Sequence, residues 1–287
     1  MNFKIVSDSS SNILQMADFP FSCAPLKIVV GESEYIDNKE LDQAGMIGHL
    51  KKHKGRSGSS CPNVQEWLDA FEDAENVFCV TISKHLSGSY NAAVQACNTY
   101  MEEHPHRKAY VFDSLSAGPE LAMMIYKIRE LIEQGLPFEE IRDGVLDYHN
   151  HCHTLFCLQS MTNLARNGRV NPAVAKIATV LGIRVVGDAV GGQLNPTLKP
   201  RGEKKALQTL MEQMEARGLY DGGEVRIAHC YNSGGALELK EMLQRKYPNC
   251  KFTIEPTTAL CSYYAEVGGL IIGYQGKYNT DNLNFEH

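Results

Sequence analysis

Residues 76–93 read NVFCVTISKHLSGSYNAA. Val77 to Ile82 is a near-continuous apolar run flanked by polar residues, the pattern of a strand buried on both faces of a parallel sheet. Ser83 to His85 breaks the run, and Leu86-Ser87-Gly88-Ser89 leads into the helical stretch Tyr90-Asn91-Ala92-Ala93. Ser87 and Ser89 are residue types that cap helix starts, and Gly88 lets the backbone come close to a bound group. A strand feeding a helix through a small, hydroxyl-rich loop aims N–H groups and the positive end of the helix dipole at one spot. Phosphate or carboxylate suits that spot.

Working outward, Phe3 to Ser7 predicts a first strand that ends at Asp8-Ser9-Ser10-Ser11-Asn12. Ala24 to Val30 predicts a second, and Asp42 to Lys52 a helix. The stretch 51–62, KKHKGRSGSSCP, reads as a basic, flexible loop. Asn63 with Glu66 three residues later then makes a capping-box start for another helix. Ala109 to Phe112 predicts a strand ending at Asp113-Ser114, and Leu121, Ile125, Ile128 and Ile132 mark one helix face closed by Gly135. Three strands therefore end in Asp-Ser or Ser-rich loops. In an open α/β sheet the carboxyl ends of the strands are where ligands sit.

The pattern changes near residue 155. Asn171-Pro172 starts a helix running from Ala173 to Leu181. Ile183 to Ala189 predicts a strand, Gly191-Gly192 a hairpin turn and Gln193-Leu194 the return. Leu207, Leu210, Met211 and Met214 mark a further helix, and Val225–Ala228, Phe252–Ile254 and Leu270–Ile272 supply short strands. The expectation is an α/β chain: an N-terminal doubly wound, mainly parallel-sheet domain over 1–155 and a C-terminal α+β domain over 156–287.

Composition bounds the function. Apolar residues make up 43% of the 287 and charged residues 22%, values of an ordinary globular protein. A net charge of -6 speaks against nucleic acid as the main partner. No apolar run reaches membrane-span length, and Met1-Asn2-Phe3-Lys4 leads into strand rather than a signal peptide, so the expected location is cytoplasmic. Nine cysteines without a CxxC pair read as buried thiols rather than a disulfide framework. His149, His151, Cys152, His153 and Cys157 form one cluster in which His151 and His153 would share a strand face, as metal ligands can. A plain strand entering the second half of the chain is the preferred reading, and no metal is expected. There is no P-loop and no Gly-x-Gly-x-x-Gly after the first strand. Ser87 lacks the Gly-x-Ser-x-Gly elbow of a serine hydrolase, which would also need a histidine base such as His85 or His229.

With these residues in view, the chain resembles the DegV family of bacterial fatty-acid-binding proteins along almost its whole length. Ile5-Val6-Ser7-Asp8-Ser9-Ser10-Ser11 is similar to the family's Ile-Val-Thr-Asp-Ser-Thr opening, and Ser59-Ser60-Cys61-Pro62 stands at its Thr-Ser-Gln-Pro. Ile82-Ser83 with Leu86-Ser87-Gly88-Ser89-Tyr90 resembles Leu-Ser-Gly-Thr-Tyr, and Asp113-Ser114 an internal Asp-Ser. Leu164 to Val170 resembles Leu-x-x-Gly-Gly-Arg-Ile, and Arg201 to Leu207 resembles Arg-Gly-x-x-Lys-Ala-Leu.

The resemblance implies two α/β domains with an apolar channel for one acyl chain, between or within them. It implies a carrier rather than an enzyme, with no cofactor beyond the bound long-chain fatty acid. It also implies a fatty acid kinase as partner, which phosphorylates the presented carboxylate. Carried to this chain, Ser59 and Ser87 would hold the carboxylate, with Gly88, Arg169 and Tyr264 as further contacts and Arg201 on a docking surface. Met123, Met124, Phe156, Leu158 and Met161 are candidates for the tail lining. The chain departs from the pattern in two places. Tyr264-Ala265-Glu266-Val267-Gly268 stands at the family's His-Thr-Gly-Pro-Gly, and Cys61 at its Gln. Tyr264 supplies one neutral hydrogen bond where a His would supply a switchable charge. Two other readings stay open: a serine-dependent lipid or ester hydrolase using Ser87, and a binder of another anionic lipid.

Overall fold

The computed structural model describes residues 2–173 and 182–280. The helix expected over Ala173 to Leu181 lies almost wholly outside the described residues. The chain divides into two compact units, one of residues 2–117 with 121–149, the other of 118–120 with 150 onward.

In the first unit β1 (Phe3–Asp8), β2 (Phe21–Ala24), β3 (Lys27–Val30), β4 (Ser33–Ile36), β5 (Ser57–Ser60), β6 (Asn76–Thr81) and β7 (Lys108–Asp113) follow in chain order. Four of them form a parallel sheet in the order β2-β1-β6-β7. β1 and β6 are central and wholly buried, which is why apolar residues in their middles, Ile5-Val6 and Val77 to Val80, stand side by side rather than alternating with polar ones. Ile5, Phe78, Val80 and Phe112 pack under the helices Pro119–Glu133 and Phe138–His149. Val6, Val77 and Cys79 pack under Val64–Phe71 and Ser89–Glu103. Helices on both faces make this unit doubly wound.

Two local expectations are corrected here. The strand expected over Ala24 to Val30 is two strands, because Pro25 has no N–H to continue the ladder. Ala24 ends β2, and β3 starts a separate antiparallel sheet ordered β4-β3-β5. The basic stretch 51–62 is not all loop, since Ser57–Ser60 forms β5 on the free edge of β3, with Ser59 opposite Ile28. The capping box does form: Asn63 accepts from Glu66 N and Glu66 accepts from Asn63 N.

The second unit holds β8 (Cys152–Leu158), β9 (Val185–Val190), β10 (Gln193–Leu198), β11 (Glu224–His229), β12 (Lys251–Pro256) and β13 (Leu270–Gln275) in a six-stranded sheet, order β10-β9-β8-β13-β11-β12. Every pairing is antiparallel except β11 with β12, so this unit is α+β. β8 is fully buried and pairs on one side with β9 and on the other with β13, which carries residues 150–155 into this unit. Gly191 and Gly192 take positive φ (55° and 79°) in the β9–β10 hairpin, the torsions that favour glycine there. The helices Glu203–Ala216 and Ser233–Lys246 cover one face through Leu207, Leu210, Met214, Leu239 and Leu243. No described helix is long and apolar enough to cross a membrane.

Candidate functional site

The three Asp-Ser strand ends meet at the carboxyl edge of the parallel sheet, and Asp8 is their hub. Its side chain is fully buried. One carboxylate oxygen accepts from Ser10 N at 3.2 Å and Ser10 Oγ at 2.5 Å. The other accepts from Ile82 N at 3.0 Å and Ser89 Oγ at 2.6 Å. Burial pushes the carboxyl above its usual range, against the pull of these four donors. Asp8 thus ties the end of β1 to both ends of the loop between β6 and the helix Ser89–Glu103.

Asp113, at the end of β7, holds the same loop from the other side. Its Oδ1 accepts from Lys84 N at 3.2 Å and Leu115 N at 3.0 Å, and Lys84 Nζ lies 3.6 Å from Oδ2. Ser83 N donates to Ser116 O at 2.9 Å, and Ser87 N to Ser83 O at 3.1 Å. A loop anchored at 82, 83, 84 and 89 leaves Ser87 and Gly88 at a rigid turn, with Ser87 half-buried and Gly88 exposed.

The capping differs from the sequence reading. The N-cap is Gly88, with no side-chain cap bond. Ser89 turns its hydroxyl back to Asp8 instead, and Ser87 Oγ accepts from Ser89 N at 3.3 Å. That oxygen accepts from the backbone, and a hydroxyl that accepts keeps its own O–H for donating. A Cβ placed on Gly88 would lie 3.2 Å from Cys61 Sγ. The Cys61 side chain, two residues after Ser59, therefore lies against the turn that carries Ser87 and Gly88. Ser59 is half-buried on β5. Sequence alone missed the Asp8–Ser89 clasp and the role of Asp113. Their signal was present in the acidic residue that opens each polar strand end.

Arg169 and Tyr264 lie in the second unit. Arg169 N donates to Leu164 O at 2.9 Å, and its guanidinium donates to Asn167 O. Tyr264 is half-buried against a cluster that includes Phe156, Leu158 and Met161, and meets Tyr263 edge-on at 4.8 Å. Glu266 turns its carboxylate to Asn163 N at 3.0 Å, which spends that charge on the start of the helix Thr162–Arg166. Met123 and Met124 are fully buried in the first unit. Arg201 is exposed, bridges to Ile183 and precedes Gly202, the N-cap of Glu203–Ala216.

The histidine cluster is spread out by the strand. His153 Nε2 donates to Lys277 O (2.8 Å) and its ring stacks on Tyr274, His151 meets the Tyr278 ring, and His149 Nε2 donates to Ser114 O at 2.9 Å. Among the described residues no group of three His, Cys, Asp or Glu stands in metal-holding geometry. Burial pushes the Cys157 thiol up to about 12. Ser87 Oγ makes no hydrogen bond to a histidine ring among the described residues; its partner is Ser89 N.

A doubly wound unit with serine-rich strand ends, joined to an α+β unit, defines a two-unit α/β protein. The chain belongs to the DegV family, whose model, described as an uncharacterised protein of that family, matches residues 2–276. It is 39% identical over 280 residues to a DegV domain-containing protein of Streptococcus gordonii, covering 96% of this chain and 99% of that one. Among solved structures, it is similar to a DegV family protein from Eubacterium eligens loaded with heptadecanoic acid. That match has 39% identity and a TM-score of 0.93, covering 96% of this chain and 100% of the other. It is likewise similar to the fatty acid kinase (Fak) B3 protein of Streptococcus pneumoniae loaded with linoleic acid, at 37% identity and a TM-score of 0.94, with the same coverage.

Proposed function

We propose that this chain is a non-catalytic carrier of a long-chain fatty acid, whose carboxylate is held by the hydroxyls of Ser59 and Ser87 beside Gly88. The observation that carries this reading is the hydrogen-bond direction at Ser87. Its oxygen accepts from Ser89 N, which leaves the hydroxyl able to donate to an anion beside a helix start capped only by glycine. Such a site satisfies an anion with neutral donors and a helix dipole. Similarity at 37–39% identity to proteins crystallised with heptadecanoic and linoleic acids supports the same reading.

Neutral donors hold the acid without neutralising it, so the carboxylate stays nucleophilic for a second protein. A fatty acid kinase is the proposed recipient, with exposed Arg201 on the docking face. Arg169 and Tyr264 are proposed as further fatty-acid contacts of the second unit. Most of the affinity would come from the tail, at ~0.8 kcal/mol per buried methylene before ordering costs. The cytoplasm, where acyl chains and kinase meet, is the proposed location.

Protein purified from a bacterial host and examined by native mass spectrometry should carry a co-purified fatty acid. Ser87→Ala should lower affinity for the acid by ~10- to 100-fold, the worth of a hydrogen bond to a charged group, while affinity for the matching fatty alcohol changes little. Empty protein without affinity for any fatty acid would overturn the proposal, and equal losses for acid and alcohol would remove Ser87 from the head-group site. An ester hydrolase would turn over chromogenic acyl esters, which this reading does not expect.

A further inference from the structure

In the second unit Asn167 and Glu266 are joined by hydrogen bonds through Asn163, and Tyr264 meets the same group through its ring. Asn167 stands where the resembling motif has its first glycine, and Tyr264 and Glu266 stand in the stretch where the family has His-Thr-Gly-Pro-Gly. Asn167 Nδ2 donates to Asn163 O at 2.8 Å and to Tyr263 Oη at 2.9 Å, which uses both of its amide hydrogens. The main-chain oxygen of the same residue accepts from the Arg169 guanidinium. Asn163 completes the frame. Its Nδ2 donates to Tyr263 O at 2.8 Å, and its N donates to Glu266 Oε1 at 3.0 Å. Tyr263 is wholly buried, and its ring meets that of Tyr264 edge-on, at 4.8 Å and 76°.

From this frame we propose that Asn167 is a positioning residue that sets Arg169 through its main-chain oxygen and Tyr264 through the buried ring of Tyr263. The inference rests on the fatty-acid reading above, in which Arg169 and Tyr264 contact the ligand. The chemistry favours a positioning role over plain packing. A buried phenol oxygen that accepts a fixed N–H cannot swing, and an edge-on partner ring then has one favoured tilt. A glycine at 167 would leave Tyr263 Oη without this donor and Tyr264 without a fixed neighbour. Gly168, at φ +72°, supplies the turn that lets Asn167 and Arg169 face the same frame.

The test compares full-length wild type, Asn167→Ala, Tyr263→Phe and the double variant. Each is measured for oleic acid and oleyl alcohol binding, and by 13C spectra of tyrosine-labelled protein in which the Tyr264 signal is assigned with Tyr264→Phe. Each single variant should lower the acid-over-alcohol preference by roughly three- to tenfold, the range of one neutral hydrogen bond. The double variant should lower it no further, because both changes cut the same link. Single variants that melt at lower temperature but keep the wild-type preference would reduce Asn167 to a structural residue and overturn the proposal, as would an additive loss in the double variant. Should wild type itself show no preference for the acid, the fatty-acid reading fails. The spectrum then decides the positioning claim: a Tyr264 signal displaced in ligand-free Asn167→Ala supports it, and an unmoved signal overturns it.

Discussion

Replacing Asp8 tests whether one buried carboxylate organises the strand-end site. Asp8→Ala removes the acceptor of four hydrogen bonds, from Ser10 N, Ser10 Oγ, Ile82 N and Ser89 Oγ. The two hydroxyls can rotate to other acceptors at small cost. The backbone N–H groups of Ser10 and Ile82 cannot, and a buried donor left unpaired costs ~1–3 kcal/mol. Relief from burying a charge offsets part of the loss, since burial already raises the Asp8 carboxyl. Two such donors cost ~2–6 kcal/mol and the offset brings the net expectation to ~2–4 kcal/mol, a sizeable share of the ~5–15 kcal/mol that holds a typical domain together. Asp8→Asn keeps an acceptor for Ser10 but turns an amide N–H toward Ile82 N, so its cost should be ~1–3 kcal/mol, below that of alanine. The chain's one tryptophan, Trp67, is fully buried in the first unit, so its fluorescence during urea unfolding reports that unit alone. The urea midpoint and slope give the free energy. A midpoint for Asp8→Ala within about 1 kcal/mol of wild type at equal slope, or asparagine costing more than alanine, would refute the reasoning.

Gly88→Ala sits at φ -71°, which any residue adopts, so the Trp67 transition should move by less than ~1 kcal/mol. The added Cβ crowds Cys61 Sγ at 3.2 Å, and oleic acid affinity should fall about tenfold in a titration, equivalent to ~1.4 kcal/mol. Of the nine cysteines only Cys23 and Cys61 are partly exposed, and burial with Asp37 and Asp8 nearby holds the Cys23 thiol well above its ordinary range. A thiol reagent should therefore modify Cys61 first, and saturating oleic acid should slow it; an unchanged rate would place the ligand elsewhere. His229 Nδ1 is buried without a hydrogen-bond partner, and burial lowers its pKa below the ordinary 6.5. A base depressed in the folded state contributes stability above about pH 6.5 that is lost as pH falls through the folded value. The urea midpoint of the second unit, followed by circular dichroism, should accordingly drop less between pH 7.5 and 5.5 in His229→Gln than in wild type.

The features written in the chain by itself are those that near neighbours decide. The apolar runs of β1 and β6, the capping box of Asn63 with Glu66 and the Gly191-Gly192 turn each depend on a few adjacent residues, and each formed as read. The DegV resemblance rested on the same kind of short motif. What the tertiary structure decided lies in contacts between distant residues. Ser57–Ser60 has no strand propensity of its own and became β5 because the edge of β3 offered unpaired hydrogen bonds. Ser89 left its expected cap because Asp8, 81 residues away, is a stronger acceptor for its hydroxyl than helix N–H groups are donors. Glu266 met Asn163 N, 103 residues away, rather than standing beside a ligand. The stretch 76–93 announced a strand, a turn and a helix. Its Ser87 oxygen took the Ser89 N–H while the Ser89 hydroxyl turned to a carboxylate from another strand, because most buried polar groups find a partner wherever the fold supplies one.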